Sequence, residues 1–343
     1  MKKIVLAVFL WASIQVVAVL PGKVLICGVC KNVESAAANT IASMTALGQQ
    51  FSDYKVVIYE NNSKDHTTDL FHKWAQENPH VVFISERVKK RELVQKLAMK
   101  RLNRTELIAR ARNCVLDEIM KECYADYKYV VWADLDLLEP WDVQGIVETI
   151  QYPEQEWDAV LANGSYDLFA FRDQEFPIGF ELVGDLYWDR LDQIRSRFSM
   201  QPTDPWRKVY SAFGGLGVYK RESILGCRYS GVVTRDLEAQ VVKWLSLIRS
   251  IKEVPLLKEY EELLASSSVI NFYQSYFLNR QQLPSNLGMR LKNSHGLGRV
   301  VWFSCLKNQT LPSVCEHIPF HAAMAARGHD RIFINPRLRS NHP

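Results

Sequence analysis

The stretch that most constrains how this chain can fold is residues 127–139, YKYVVWADLDLLE. Tyr129, Val130, Val131 and Trp132 form a run of aromatic and β-branched residues that predicts a buried strand. The run ends in two carboxylates one residue apart. Side chains alternate along an extended chain, so Asp134 and Asp136 are expected on one side and Leu135 on the other, toward the protein. Two like charges held that close raise each other's pKa unless a cation sits between them. An all-oxygen ligand pair of this kind suits Mg2+ or Mn2+, hard ions that keep other positions for water and phosphate oxygens. A strand end with two ordinary solvated acids produces the same three letters, so the flanking pattern has to decide.

That pattern is α/β. Residues 23–30 (KVLICGVC), 54–59 (YKVVIY) and 81–85 predict strands, and helical segments at 35–48 and through Trp74 and Ala75 separate them. Strands alternating with helices at this spacing predict a mostly parallel sheet flanked by helices. Ligands of such sheets bind beyond the carboxyl ends of the strands. Glu60, Asp65, Asp134 and Asp136 all fall at those ends and are expected to converge on one edge.

Composition excludes some partners. The chain has 343 residues, 48% apolar and 23% charged, with a net charge of only +4. That is enough for a sizeable core and too little positive charge for a nucleic-acid binder. The basic cluster at Lys89, Lys90, Arg91, Lys96, Lys100, Arg101 and Arg104 fits a solvated helix face. Met1, Lys2 and Lys3 precede seventeen uncharged residues, 4–20, which is the pattern of a secretory signal peptide or a signal anchor within residues 1–22. A secretory-pathway location, in the ER or Golgi lumen or exported, with membrane association through residues 4–20, is the corresponding expectation. Seven cysteines are an odd number. Cys27 and Cys30 lie in an apolar strand and fit a core role, whereas Cys305 and Cys315 are the best disulfide candidates in an exported protein. Asn61, Asn103, Asn163 and Asn308 begin N-x-Ser/Thr triplets that could carry glycans in a eukaryotic lumen.

Two segments together resemble a known family. The turn ENNSKDHT (60–67) resembles the DDGSxDGT turn of family 2 glycosyltransferases of the GT-A fold, with Ser63, Asp65 and Thr67 matching and Glu60 replacing the first acid. The run IARARNCVLDEIMKECYADYKYVVWADLDL resembles that family's helix bearing ARN, followed about twenty residues later by a strand ending in Asp-x-Asp. The resemblance covers roughly residues 23–140 and implies a Rossmann-like GT-A sheet.

It also implies chemistry. Residues 23–140 would bind a nucleotide sugar, a UDP- or GDP-sugar, and 141–343 would form the acceptor-binding and catalytic half, with a helical segment at 236–265. Glu60 would accept hydrogen bonds from the nucleoside, and Asp65 would fix the turn or reach the base. Arg110 or Arg112 would offer a planar fork to the diphosphate, and Asp134 and Asp136 would hold Mn2+ or Mg2+. Asn61 and Asn62 replace an acid and a glycine of the family turn, so base preference does not carry over.

Near the C-terminus, CEHIPFHAAMAARGHDRIFINPRL (315–338) resembles the GT-A segment in which an acidic pair opens a helix. Glu316 matches the first acid, the general base of inverting enzymes, and His317 stands where the second would be, as part of the metal site or as a base. The sequence therefore predicts a hexosyltransferase-like enzyme, inverting, that transfers sugar to a carbohydrate-bearing acceptor such as a glycan, glycolipid or protein. An Asp-x-Asp phosphatase and a non-catalytic glycan- or nucleotide-binding module are the alternatives. The phosphatase motif belongs on a first strand, whereas here three strands precede it. Asp236 and Asp185 are further candidates for the base, and the glycines of SAFGGLGVY (211–219) predict close backbone approach rather than a phosphate cradle.

Overall fold

The structure, a computed structural model, describes residues 20–89, 91–93, 103–177, 179, 191–249 and 313–340. Eight strands form one sheet in the order β3-β2-β1-β4-β7-β5-β8-β6. They are β1 (Leu20–Cys30), β2 (Phe51–Asn61), β3 (Val81–Glu86), β4 (Tyr127–Asp134), β5 (Ala159–Ala162), β6 (Arg207–Lys208), β7 (Leu216–Lys220) and β8 (Ile332–Asn335). β1 pairs in parallel with β2 and β4, and β2 with β3. β7 is antiparallel to both β4 and β5, β5 is parallel to β8, and β6 is antiparallel to β8. Only β6 and β7 oppose the common direction, so the sheet is mostly parallel, as expected.

Strand alternation creates two cores. Leu25, Cys27, Val57, Tyr59, Val130 and Trp132 face one side, against α3 (Arg104–Ile119) and α7 (His317–Ala326). Their neighbours Val24, Ile26, Val56, Ile58, Val131 and Ala133 face the other, against α1 (Glu34–Gly48), α2 (Thr67–Glu77) and α4 (Val143–Gln151). Near-continuous apolar strands are the signature of a sheet buried on both faces.

The boundaries carry some corrections. β1 starts at Leu20, not Lys23: Leu20 is buried and its N–H bonds the Gln50 carbonyl at 2.7 Å. Residues 20–22 thus belong to the sheet. α4, α5 (Leu191–Ser196) and the two-residue β6 are elements that the sequence pattern does not predict. The first part of the helical segment expected at 236–265 is α6 (Arg235–Arg249), which buries Leu237, Val241 and Trp244. The rest of the 236–265 segment and nearly all of 4–20 lie outside the described residues. Among those described, no helix is long and apolar enough to cross a membrane. Cys27, Cys30 and Cys315 are buried free thiols, and Cys305 lies outside the described residues.

Candidate active site at the carboxyl edge of the sheet

β4 delivers the two acids. Leu135 is buried, as alternation predicts, and packs so closely on β1 that a Cβ at Gly28 would lie 2.6 Å from Leu135 Cγ. Helix α1 then fixes the backbone beyond the strand. The Asn39 amide donates to Leu138 O, Thr40 Oγ1 donates to Leu135 O at 3.2 Å, and Ser43 Oγ accepts from Trp141 N at 3.1 Å. On the other flank the Asp134 N–H bonds Gly215 O at 2.9 Å. Gly214 and Gly215 have φ of 61° and 83°, and a Cβ at Gly214 would lie 2.7 Å from Ala162 O. This is the close backbone approach expected of that glycine run.

Asp134 meets Arg112 and Asp136 meets solvent. Arg112 Nη2 donates to Asp134 Oδ1 at 3.0 Å, and its Nε donates to Glu316 Oε1 at 3.0 Å. The guanidinium side chain is only 4% exposed and lies 4.9 Å from the Phe213 ring centroid and 5.5 Å from that of Trp132. Burial pushes Asp134 up to about 6, the Arg112 charge opposes this, and the charges of Asp136 and Glu316 add to it. Asp136 is exposed and has no hydrogen-bond or ion-pair partner among the described residues.

The loop after β5 adds an acid that the sequence alone did not single out. Asp167 is pushed up to about 7, first by burial and then by the charges of Glu316 and Asp134. The Cys315 thiol donates to Asp167 Oδ2 at 3.6 Å. Beside it Tyr166, 41% exposed, feels the charges of Asp134, Asp136 and Asp167. The segment from 163 to 188 is rich in aromatics and acids, and nothing in its pattern distinguishes Asp167 from the rest.

The nucleotide-side residues are placed as a polar knot. Glu60 is 2% exposed, and its oxygens accept from Ser63 N at 2.6 Å and Ser85 Oγ at 2.7 Å. Asp65 accepts from Glu34 N at 3.2 Å and Thr67 N at 3.1 Å, so it caps two helix starts. Partial burial acts upward on its carboxyl, but those bonds hold it below the usual range. Asn32 and Ser63 cross-link the same two loops through Asn32 N to Ser63 Oγ at 3.0 Å and Lys64 N to Asn32 Oδ1 at 2.7 Å. The Cys30 thiol is raised by burial first, then by the charges of Glu60, Asp65 and Asp136, which places those acids in one neighbourhood.

Several expected roles change. Glu60 spends its oxygens on hydrogen bonds within the turn and on Ser85, whereas Asp65 fixes the turn, one of the two roles expected of it. Arg110 faces away from Asp134, donating to Tyr59 OH at 2.8 Å and to both Glu86 oxygens at 2.7 Å. Arg112 is committed to two acids and buried, so it is no open fork for a diphosphate; its Nη1 is buried without a partner. His317 is fully buried, stacked on Phe213 with ring centroids 3.8 Å apart, and neither ring nitrogen makes a hydrogen bond, although Nε2 lies 3.7 Å from Glu316 Oε1. Burial first, then the Arg112 charge, holds it well below the usual histidine range. A neutral, enclosed imidazole is a packing group, and neither the metal role nor the base role expected of it is supported. His321 is a satisfied core histidine, with Nδ1 2.9 Å from Ser211 Oγ and Nε2 3.0 Å from Tyr219 OH. Asp236 is paired with Arg327 at 3.3 Å, and Asp185 lies outside the described residues.

A divalent ion fits part of this edge. Among the described residues no donor reaches Asp136 or the second Asp134 oxygen, and repulsion between the two acids is what such an ion relieves. No three His, Cys, Asp or Glu side chains converge to hold a metal among the described residues. An ion held there would have two carboxylates, those of Asp134 and Asp136, from the protein, and most of its positions would be left to water and substrate oxygens, as Mg2+ prefers.

No protein-family model matches the chain, and no curated protein matches it in sequence. Among solved structures it aligns with mannosyltransferase PcManGT from Pyrobaculum calidifontis in complex with GDP-Man and Mn2+, at 12% identity over 90% of this chain and 87% of that one, TM-score 0.38. Glucosyl-3-phosphoglycerate synthase from Mycobacterium tuberculosis, with Mn2+, UDP and phosphoglyceric acid, aligns at 14% identity over 67% and 65%, TM-score 0.35. S. aureus TarS aligns at 15% over 41% and 21%, TM-score 0.27. At such TM-scores the alignments decide nothing about the site, whose chemistry rests on the side chains described above.

Proposed function

We propose that the chain is a metal-dependent glycosyltransferase that moves a sugar from a nucleoside diphosphate, a UDP- or GDP-sugar, to an acceptor hydroxyl with inversion. The observation that carries this reading is the bridge Asp134–Arg112–Glu316, which holds the acid of the metal strand and the acid of the C-terminal helix on one buried guanidinium. Asp134 and Asp136 would bind Mn2+ or Mg2+, which when bound neutralises charge building on the departing diphosphate.

Glu316 is the residue we assign as base. Its Oε1 is held by Arg112, and its other oxygen takes the acceptor hydroxyl proton. The acceptor oxygen bonds to the anomeric carbon as the bond from that carbon to the phosphate oxygen breaks, and the electron pair leaves with the diphosphate. Asp167 lies within electrostatic reach and is the second group able to hold that proton near neutral pH. A phosphatase needs an unencumbered aspartate nucleophile, and Asp134 is tied to Arg112. A location in the secretory pathway, membrane-associated or not, remains a proposal resting on residues 4–20.

The test is a panel of UDP- and GDP-sugars scored for Mn2+-dependent hydrolysis and for thermal protection. One donor that does both supports the reading; a panel with neither overturns it.

A further inference from the structure

A second feature lies on the same sheet edge. Beyond β5 a cavity of about 560 Å3 is lined by Arg195 and Arg339, the hydroxyls of Ser165, Ser199 and Ser340, and the Asn163 amide. Phe198 and Met200 supply an apolar wall, and no acidic residue lines it. The contrast with its surroundings is sharp, because the neighbouring edge gathers Asp134, Asp136, Asp167 and Glu316.

The cavity is built rather than incidental. Asn163 ties three segments together: its N–H bonds Leu338 O at 2.7 Å, and its amide lies 3.5 Å from both Met200 O and Pro336 O. Ser340 is 3% exposed, although it is a polar residue near the end of the described chain. Arg339 has no ion-pair partner among the described residues. Arg195 makes one bond, to the largely exposed Asp192 at 3.1 Å within the same helix, a surface pair of little strength. Both guanidiniums therefore keep free donors.

Gly215 joins the cavity to the acids. Its carbonyl accepts from Asp134 N, and a Cβ there would lie 3.5 Å from Ser340 Cβ, 3.6 Å from Tyr166 Cδ1 and 3.7 Å from Leu137 Cδ2. One lining residue of the cavity, Ser340, thus packs beside Gly215, the residue that also holds the Asp134 backbone and neighbours Tyr166 and Leu137. An oxyanion would be repelled by the acids and held by the two forks.

We propose that this cavity is the acceptor subsite and that it selects an acceptor bearing an oxyanion, a phosphate monoester or a carboxylate, whose hydroxyl end then lies toward Asp134 and Glu316. The assignment rests on the transferase reading for the word acceptor, but the anion binding itself does not depend on it.

The experiment measures calorimetric binding of glucose 6-phosphate, glucuronate and glucose to the full chain in EDTA, so that no divalent metal can hold the anion. Glucose 6-phosphate or glucuronate should saturate, and the tighter of the two names the group. Glucose should bind at least roughly tenfold more weakly, a loss of one charge-assisted contact. Arg195→Gln and Arg339→Gln should each lose roughly tenfold and Arg195→Lys less, with affinity falling as salt rises. Both arginines are exposed, so melting temperatures should not move. Asp134→Asn should bind the anion as the wild type does. Glucose binding as tightly as the anions, a double Gln variant binding like wild type, or loss of anion binding in Asp134→Asn would each overturn the inference. Mn2+-dependent donor hydrolysis is read on the same protein. Hydrolysis without anion binding sinks this inference alone, and anion binding without hydrolysis sinks the transferase reading alone.

Discussion

Arg112 and Glu316 stand 204 positions apart in the chain and share a 3.0 Å hydrogen bond between Nε and Oε1, with both side chains nearly excluded from solvent. The same guanidinium holds Asp134. The bridge fixes the tip of β4 relative to the start of α7, the helix that leads into β8, a strand separated from β4 by β7 and β5 in the sheet order.

Removing the cation leaves two acids facing each other in a low-dielectric site. Arg112→Met should therefore destabilise the fold by about 3–5 kcal/mol in urea titration at pH 7.5, the usual loss when one partner of a buried ion pair is deleted. Arg112→Lys keeps the charge but cannot fork onto both acids, and should lose donor turnover by at least about tenfold. A loss below about 1 kcal/mol for the Met variant would mean the bridge does not hold the site together.

Asp167 gives a pH dependence with a definite sign. Its carboxyl is raised to about 7 in the folded protein, against about 3.9 for an unfolded aspartate. Between those values the folded state keeps a proton that the unfolded chain has released, so this residue's contribution falls as pH rises from about 4 to about 7. Measured in EDTA, the stability of wild type minus that of Asp167→Asn should decline by at least about 1 kcal/mol across that window. A flat or rising difference contradicts the placement of Asp167 among the acids.

Gly28 sets how closely β1 approaches the metal turn. A Cβ there overlaps the Leu135 side chain, so Gly28→Ala should cost about 1–3 kcal/mol by overpacking. It should also weaken Mn2+ binding by displacing the backbone between Asp134 and Asp136. Leu135→Ala should cost less stability in the Gly28→Ala background than in wild type, because there it also relieves the overlap. Equal stability of Gly28→Ala and wild type would show that the contact is looser than described.

The two buried histidines should respond differently. His317 has no hydrogen-bond partner and stacks on Phe213, so His317→Phe should change stability by less than about 1.5 kcal/mol, as shape-conserving core exchanges do, and should leave Mn2+ affinity intact. His321→Phe strands Ser211 Oγ and Tyr219 OH and should cost about 1–3 kcal/mol. Loss of Mn2+ binding in His317→Phe would restore the metal role that the geometry argues against.

Much of the fold was legible because its strands are apolar on both faces and its helices fall between them. β1, β2, β3 and β4, the helix bearing Arg112 and the segment from Glu316 to Pro336 all lie within a few residues of where the pattern puts them. The site was half legible. Asp134, Asp136 and Glu316 stand at element ends, where a carboxylate in an apolar context is conspicuous. The direction of a side chain is set by packing, however, and no local pattern tells Arg110, turned to Glu86, from Arg112, turned to Asp134. Glu60 and Asp65 look like ligand-binding acids for the same reason that they make good turn closers: both tasks need acceptors near free N–H groups. Asp167, Arg339 and Ser340 come from loops and Arg195 from a short helix, and their convergence depends on the order in which β5, β7 and β8 pair, which neither periodicity nor spacing records.

In the proposed function Asp134 and Asp136 together grip a divalent ion against a nucleoside diphosphate. This grip is tested most directly by calorimetric titration of Mn2+ into wild type, Asp134→Asn and Asp136→Asn, each with the nucleoside diphosphate of the preferred donor present. Saturable, nucleotide-enhanced Mn2+ binding is expected in wild type, reduced at least about tenfold in each variant, with the melting temperature maintained in Asp136→Asn and lowered in Asp134→Asn, which also removes one charge of the buried Arg112 bridge. Mn2+ binding that is indifferent to both substitutions, or to the nucleotide, would contradict it.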